Sequence, residues 1–184
     1  MKYLATIRDN DLFSDYQSPE NIDYKLRVAP RAVVFDEQNK VAVMYVGKFD
    51  YYKLPGGGQE EGETLEQALI RECQEEIGCN VEIGQKIGSI LEYRDKFDME
   101  HITRCFICKV KGDKSEPLFT PEENASNYEV KWVDLTEAID LVKNAKLEGE
   151  KDEEDHDGEY AAKFIMKREL IYLEKAKEIL DAQK

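Results

Sequence analysis

Between Leu54 and Cys79 the chain reads Pro55-Gly56-Gly57-Gly58-Gln59-Glu60-Glu61-Gly62-Glu63 and, after eight residues that include Thr64 and Leu65, Glu72-Cys73-Gln74-Glu75-Glu76-Ile77-Gly78, with Arg71 just before Glu72. Glycines after Leu54-Pro55 let the backbone turn tightly and approach a ligand closely. Glu72 stands three residues before Glu75 and four before Glu76, intervals that share one helix face. Like charges at these spacings destabilise a helix by roughly 0.2–0.5 kcal/mol per pair. A cation among them reverses that effect. Hard divalent cations prefer oxygen ligands, and Mg²⁺ is commonly shared between carboxylates and substrate phosphates. The segment therefore reads as a metal site for phosphate chemistry. A solvated acidic face accounts for Glu66 and Glu82. It does not account for the glycine-rich entry, Glu63, and the Arg71-Glu72 pair at their distances.

From Gly57 to Cys79 these residues resemble the Nudix box. The pattern is Gly, five residues, Glu, seven residues, Arg-Glu, an apolar residue, any residue, Glu-Glu, any residue, Gly, an apolar residue. Gly57, Glu63, Arg71, Glu72, Glu75, Glu76 and Gly78 all match. The two apolar positions hold Cys73 and Cys79, and cysteine behaves as a small buried hydrophobe. The resemblance implies the Nudix fold, an α/β/α sandwich around a mixed sheet. It covers roughly residues 26–142 and leaves the ends outside the motif.

The whole chain is consistent with that class. It has 184 residues, enough for one domain with a real core. The expected organisation is a single domain over 1–184, with its core at about 26–142. An N-terminal extension would occupy 1–25, and an acidic loop and helix 144–184. The net charge of −14 argues against binding a nucleic acid polymer or an anionic membrane surface. No signal peptide opens the chain and no apolar run reaches transmembrane length, so a cytoplasmic location is expected. Cys105-Phe-Ile-Cys108 has a zinc or redox form. Strand alternation would put its two thiols on opposite faces, so buried, reduced cysteines are expected instead.

Apolar runs at Leu26–Phe35 and Val41–Val46, with turn chemistry between them, predict a hairpin, and Pro30 predicts an edge or a bulge. Tyr51–Leu54 predicts a third strand. Thr64 suits a helix N-cap, Leu65, Leu69, Cys73 and Ile77 form a buried stripe, and Gly78 suits the left-handed end. Strands follow at Val81–Tyr93 (interrupted by Gly84 and Gly88), Ile102–Val110 and Tyr128–Val133. Helices follow at Leu135–Val142 and from Tyr160 to about Ala182, after an acidic loop at 151–158. Residues 1–24 suit an edge strand, a partner contact or a partly ordered tail. They and 144–184 are the segments available to a homodimer.

By resemblance, Glu72, Glu75 and Glu76 are metal ligands, with the Gly56 carbonyl as a further one, and the cofactor is Mg²⁺ or Mn²⁺. Arg71 is expected to hold the glycine loop through Glu63, or otherwise to make an ordinary helix pair with Glu75. The reaction is hydrolysis of a diphosphate linkage in a nucleoside diphosphate attached to another group. Glu75 or Glu76 suits the general base, as does Glu123 or Glu122 from a later loop. His101 and His156, the only histidines, carry no catalytic assignment. Tyr45, Phe49, Tyr51, Tyr52 and Tyr93 are available to stack a base. By elimination of substrate-class motifs, the small-molecule substrate is a nucleoside triphosphate or an oxidised (deoxy)nucleoside triphosphate. The alternatives are ADP-ribose, nucleotide sugars or dinucleoside polyphosphates. A nucleotide sensor that no longer hydrolyses is the binding-protein reading. An isomerase of isoprenoid diphosphates is a third, and it would need a catalytic cysteine that Cys73 and Cys79, on a buried stripe, do not offer.

Overall fold

The computed structural model describes residues 2–149 and 156–183. Seven strands form one sheet: β1 (Ala5–Ile7), β2 (Lys25–Phe35), β3 (Val41–Val46), β4 (Tyr51–Lys53), β5 (Val81–Arg94), β6 (Met99–Val110) and β7 (Tyr128–Val133). Four α-helices accompany them: α1 (Leu65–Ile77), α2 (Pro121–Ala125), α3 (Leu135–Asn144) and α4 (His156–Asp181). The strand order is β1-β5-β6-β2-β3-β4, with β7 also on β3. β1 runs parallel to β5 and β2 parallel to β6, while the other pairs are antiparallel, so the sheet is mixed.

Strand alternation divides β2 between two cores. Ala32 and Val34 pack with Leu69, Cys73 and Ile77 of α1. Val33 packs with Ala138 and Val142 of α3 and Phe164, Tyr172 and Leu173 of α4. The result is the expected α/β/α sandwich. Cys105 and Cys108 fall in different cores, and all four cysteines are free and buried.

Several local expectations acquire a physical explanation. Residues 5–7 form an edge strand, one of the readings for the N-terminal segment. Gly84 and Gly88 do not break β5; they flank the register shifts where it bulges against β6. Pro30 is not on an edge strand by order. β3 ladders to β2 only at Phe35, however, so beside Pro30 the open edge is met by the Pro55-Gly56 loop, with Ala32 N–H donating to the Pro55 carbonyl at 3.0 Å. Residues 121–125, expected as loop, form α2, because Thr120 and Glu123 make a reciprocal capping box behind Pro121. The last helix begins at His156, four residues before its expected start. Residues 151–155 of the expected acidic loop, and the His156 side chain, lie outside the described residues.

Candidate active site

The site is built where the Pro55–Gly58 turn meets α1. Thr64 caps α1: its hydroxyl accepts from Gln67 N–H at 3.2 Å, and Gln67 returns a bond to Thr64 N–H at 2.8 Å. At the other end Gly78 takes the left-handed conformation, φ 64°. Ser115 N–H and Leu118 N–H bond the Gly78 and Glu75 carbonyls at 2.8 and 2.7 Å, so the 111–120 segment completes the helix end.

Arg71 is the hub. Its Nε donates to Glu63 Oε1 at 2.8 Å, and its Nη2 to Glu63 Oε2 at 3.1 Å and to the Gly58 carbonyl at 3.0 Å. Its Nη1 reaches Glu72 Oε1 at 3.1 Å and Glu75 Oε2 at 3.0 Å. Glu63 also accepts from Glu60 N–H at 2.9 Å. One guanidinium therefore ties the glycine loop, its acidic exit and α1 together. Both expected partners of Arg71, Glu63 and Glu75, are engaged at once. The Glu63 bonds come first among the influences that hold Arg71 charged, and the same bonds depress the Glu63 carboxyl.

Glu76 is buried on the other side of the same helix face. Lys53 Nζ donates to its Oε1 at 2.7 Å, and Gly56 N–H to its Oε2 at 2.6 Å. Burial alone would push the Lys53 ammonium down, but Glu76 beside it more than offsets this and raises it. Glu72 lies between the two groups. A Cβ at Gly57 would overlap the Glu72 carboxyl, so any larger residue there would make that carboxyl move. Burial raises the Glu72 pKa, and repulsion from Glu76 adds to it against the pull of Arg71. At Gly56, φ is 129° and a Cβ would strike the Pro30 carbonyl, so only glycine fits that bend.

The structure thus brings Gly56, Glu63, Arg71, Glu72, Glu75 and Glu76 into one place. Among the described residues no three His, Cys, Asp or Glu side chains stand as a ready-made cation cage. The acids are turned instead to Arg71 and Lys53. The donor set still fits a hard cation: all of it is oxygen, and Glu72 and Glu76 repel each other in a crowded setting. The Glu123 carboxylate caps α2, accepting from Thr120 N–H at 2.9 Å. Phe49 and Tyr51 are buried in a cluster with Ala162 of α4. Tyr45 and Tyr52 pack against each other beneath Lys131, and Tyr93 lies between Tyr24 and Arg8.

Two features escape sequence reasoning. Lys53 reads as an ordinary strand residue until the fold sets it against Glu76. A second ionic group lies behind the loop. Glu92, fully buried, accepts from Arg94 Nη2 at 2.7 Å and Arg168 Nη1 at 3.3 Å, and bonds His101 Nδ1 at 2.9 Å. Glu169, also fully buried, accepts from Arg168 Nη2 at 2.6 Å and pairs with Arg31 Nε at 3.6 Å. The partners come from β2, β5, β6 and α4, so no local spacing announces them.

Comparison with known proteins bears on the same region. The family model described as NUDIX domain matches residues 25–154. An RNA pyrophosphohydrolase of Pelagibacter ubique (strain HTCC1062) is 27% identical over 148 residues, covering 73% of this chain and 93% of that protein. An 8-oxo-dGTP diphosphatase of Proteus vulgaris is 36% identical over 88 residues, covering 45% of this chain and 73% of its own length. Among solved structures, a NUDIX hydrolase from Nitrosomonas europaea superposes with a TM-score of 0.51 at 20% identity, over 66% of this chain and 81% of that one. An ADP-ribose pyrophosphatase from Streptococcus suis gives 0.50 at 16%, over 82% and 91%. At those identities the structural likeness speaks for the fold.

Proposed function

The chain belongs to the NUDIX domain family, and on that premise we propose that it is a divalent-cation-dependent pyrophosphohydrolase of a nucleoside triphosphate or an oxidised (deoxy)nucleoside triphosphate. The observation that carries this reading is the Arg71 hub, which holds the glycine loop against a helix face bearing Glu72, Glu75 and Glu76. Glu72, Glu76 and the Gly56 carbonyl would hold Mg²⁺ or Mn²⁺, with Glu75 beside them. A cation bound there would draw negative charge from the phosphate oxygens and so lower the barrier to attack.

The remaining roles belong to the chain itself. Arg71 is a positioning residue: its donors are spent on the loop and on three carboxylates. Glu75 has the most open side chain of the box acids on the hub, 46% exposed against 14% for Glu72 and 19% for Glu63. Arg71 occupies its Oε2, and among the described residues its Oε1 accepts no hydrogen bond. We assign Glu75 Oε1 as the acceptor of the proton from the attacking water.

A second reading, the 5′ end of RNA, is favoured by the Pelagibacter relative named for RNA, which aligns over nearly its whole length. The net charge of −14 weighs against holding a long anionic chain, so the free nucleotide stays first.

The test is a substrate panel with Mg²⁺ and with Mn²⁺, products resolved by chromatography. It covers nucleoside triphosphates, oxidised dGTP, 5′-triphosphorylated short RNA, ADP-ribose, nucleotide sugars and dinucleoside polyphosphates. Alongside it, Glu75→Gln should lower kcat by about 10²–10⁴-fold, the usual worth of a general base. Melting should barely change, because Arg71 keeps Glu63 and Glu72. Wild-type turnover in that variant would remove Glu75 as the base. A folded wild-type protein that cleaves nothing on the panel would count against the hydrolase reading.

A further inference from the structure

A chain with 26 basic and 40 acidic residues gathers four arginines behind its glycine loop. Three of them, Arg31, Arg94 and Arg168, are buried and share two buried carboxylates, Glu92 and Glu169. Burial drives the pKa of His101 down to about 3, so the histidine adds no charge at neutral pH. Three guanidiniums against two carboxylates leave one positive charge over.

Arg27 adds another. It stands in the same register row as His101 and Glu92 across β2, β6 and β5, on the face of the sheet that carries Arg31. Its guanidinium comes to the glycine loop: a Cβ at Gly58 would lie 3.2 Å from Arg27 Nη2. Among the described residues Arg27 makes no hydrogen bond and no ion pair. Crowding by protein and then repulsion from Arg31, Arg94 and Arg168 make its charged form less favourable. Glu72 is the carboxylate that draws on it, and Arg71 already holds Glu72. Arg27 is nonetheless exposed, and it lines an open cleft of about 340 Å³ with Gly58, Gln59 and the two acids Glu60 and Glu61. A cation set among like charges, open to solvent and tied by no hydrogen bond or ion pair among the described residues, is placed for an anion.

We propose that Arg27 is the substrate-phosphate anchor of this site. Its planar fork takes two non-bridging oxygens of the polyphosphate beside the Gly58 loop, and the excess charge of Arg31, Arg94 and Arg168 supports it from behind. The proposal rests on the hydrolase reading and names the residue that recognises the polyphosphate. It also gives α4 a part in substrate binding, since Arg168 and Glu169 on that helix fix Arg31 and set the field at Arg27.

The experiment uses the full chain and two readouts. The first is binding of inorganic pyrophosphate in EDTA, followed by isothermal titration, for wild type, Arg27→Gln and Arg27→Lys. The second is the kinetics of whichever panel nucleotide the wild type cleaves. Arg27→Gln should weaken pyrophosphate binding and lower kcat/KM by about 10–100-fold, the worth of a charge-assisted hydrogen bond, with most of the loss in KM. Arg27→Lys keeps the charge but loses the fork, and should fall between the two. Arg27 is exposed, so both variants should melt like the wild type. If Arg27→Gln binds pyrophosphate as wild type does and its KM stays within about twofold, the anchor is wrong while the hydrolase stands. If no panel substrate is cleaved, the binding arm still decides: loss of pyrophosphate binding in Arg27→Gln supports the anchor, and its retention overturns it.

Discussion

Replacing Lys53 by methionine tests the electrostatic logic of the site without touching the box. The Lys53 and Glu76 side chains are 13% and 5% exposed and meet at 2.7 Å. Methionine fills similar volume but leaves the Glu76 carboxylate buried without its cation. Breaking one side of a buried pair costs about 3–5 kcal/mol. Glu76 keeps the Gly56 N–H at 2.6 Å, so the lower end applies, about 3 kcal/mol. In a chain of this size each kcal/mol moves the melting temperature by about 2–4 °C, so Lys53→Met should melt about 6–12 °C lower in EDTA. Divalent cation should then recover more in the variant than in the wild type, because it supplies the charge that lysine no longer does. The assay is thermal unfolding followed by circular dichroism, in EDTA and across a MgCl₂ titration. A Lys53→Met melt within about 2 °C of wild type in EDTA would show that the buried pair does not carry this energy. Equal stabilisation of both proteins by Mg²⁺ would show that the cation does not reach Glu76.

Gly57→Ala places a methyl group on the Glu72 carboxyl; a displacement on the order of 1 Å there should lower kcat/KM by about 100-fold with helix content unchanged, and near-normal kinetics would show that Glu72 need not sit against the loop. His101 is held neutral, its pKa pushed down to about 3 chiefly by burial, so between that value and the ordinary value near 6.5 the unfolded chain binds the extra proton and stability falls on acidification. Going from pH 7.5 to 5.5 this group alone should remove about 1.3 kcal/mol from the unfolding free energy, read from urea melts, and His101→Gln should flatten that slope. An NMR titration of His101 with a midpoint near 6.5 would overturn the assignment. Glu92 acts in the same direction lower down. Its depressed pKa contributes stability above about pH 4.3 that is lost as pH falls through the folded value.

How much of this was legible in the sequence depends on how far each partner lies along the chain. Helix α1 was fully legible, because Thr64, the 65–69–73–77 stripe and Gly78 act within one turn of the residues they control. The Arg71–Glu63 pair was legible through the family pattern, with the partners only eight positions apart. The Lys53–Glu76 pair spans 23 residues and the Arg168–Glu92 pair 76. Those contacts follow from how β4 and α4 lie against the sheet, which no local period encodes. His101 gave the same difficulty: its environment is set by the β5–β6 register that puts it opposite Glu92. Residues 121–125 were a different kind of miss. Thr120-Pro121 with Glu123 is a helix-start signal, and its five-residue helix was too short for any periodicity to show.

The charge pattern resolves an apparent conflict in the chain. A protein of net charge −14 repels a polyphosphate at long range, and the box adds three carboxylates where the phosphates must come. A cation held by the box can offset only what lies within a few ångströms of it, because Coulomb energies fall with distance and are weakest in water. The arginine group stands on the sheet face next to the loop, partly out of water, where one uncompensated charge acts more strongly than one on an open surface. Burying Arg31, Arg94 and Arg168 is costly unless they are paired, and Glu92 and Glu169 offset most of that cost. The surplus of those arginines adds to the charge of Arg27, which is exposed beside the loop. Anion recognition in this chain therefore depends on α4 as much as on the glycine loop, although the family pattern of the box lies wholly in the loop and α1.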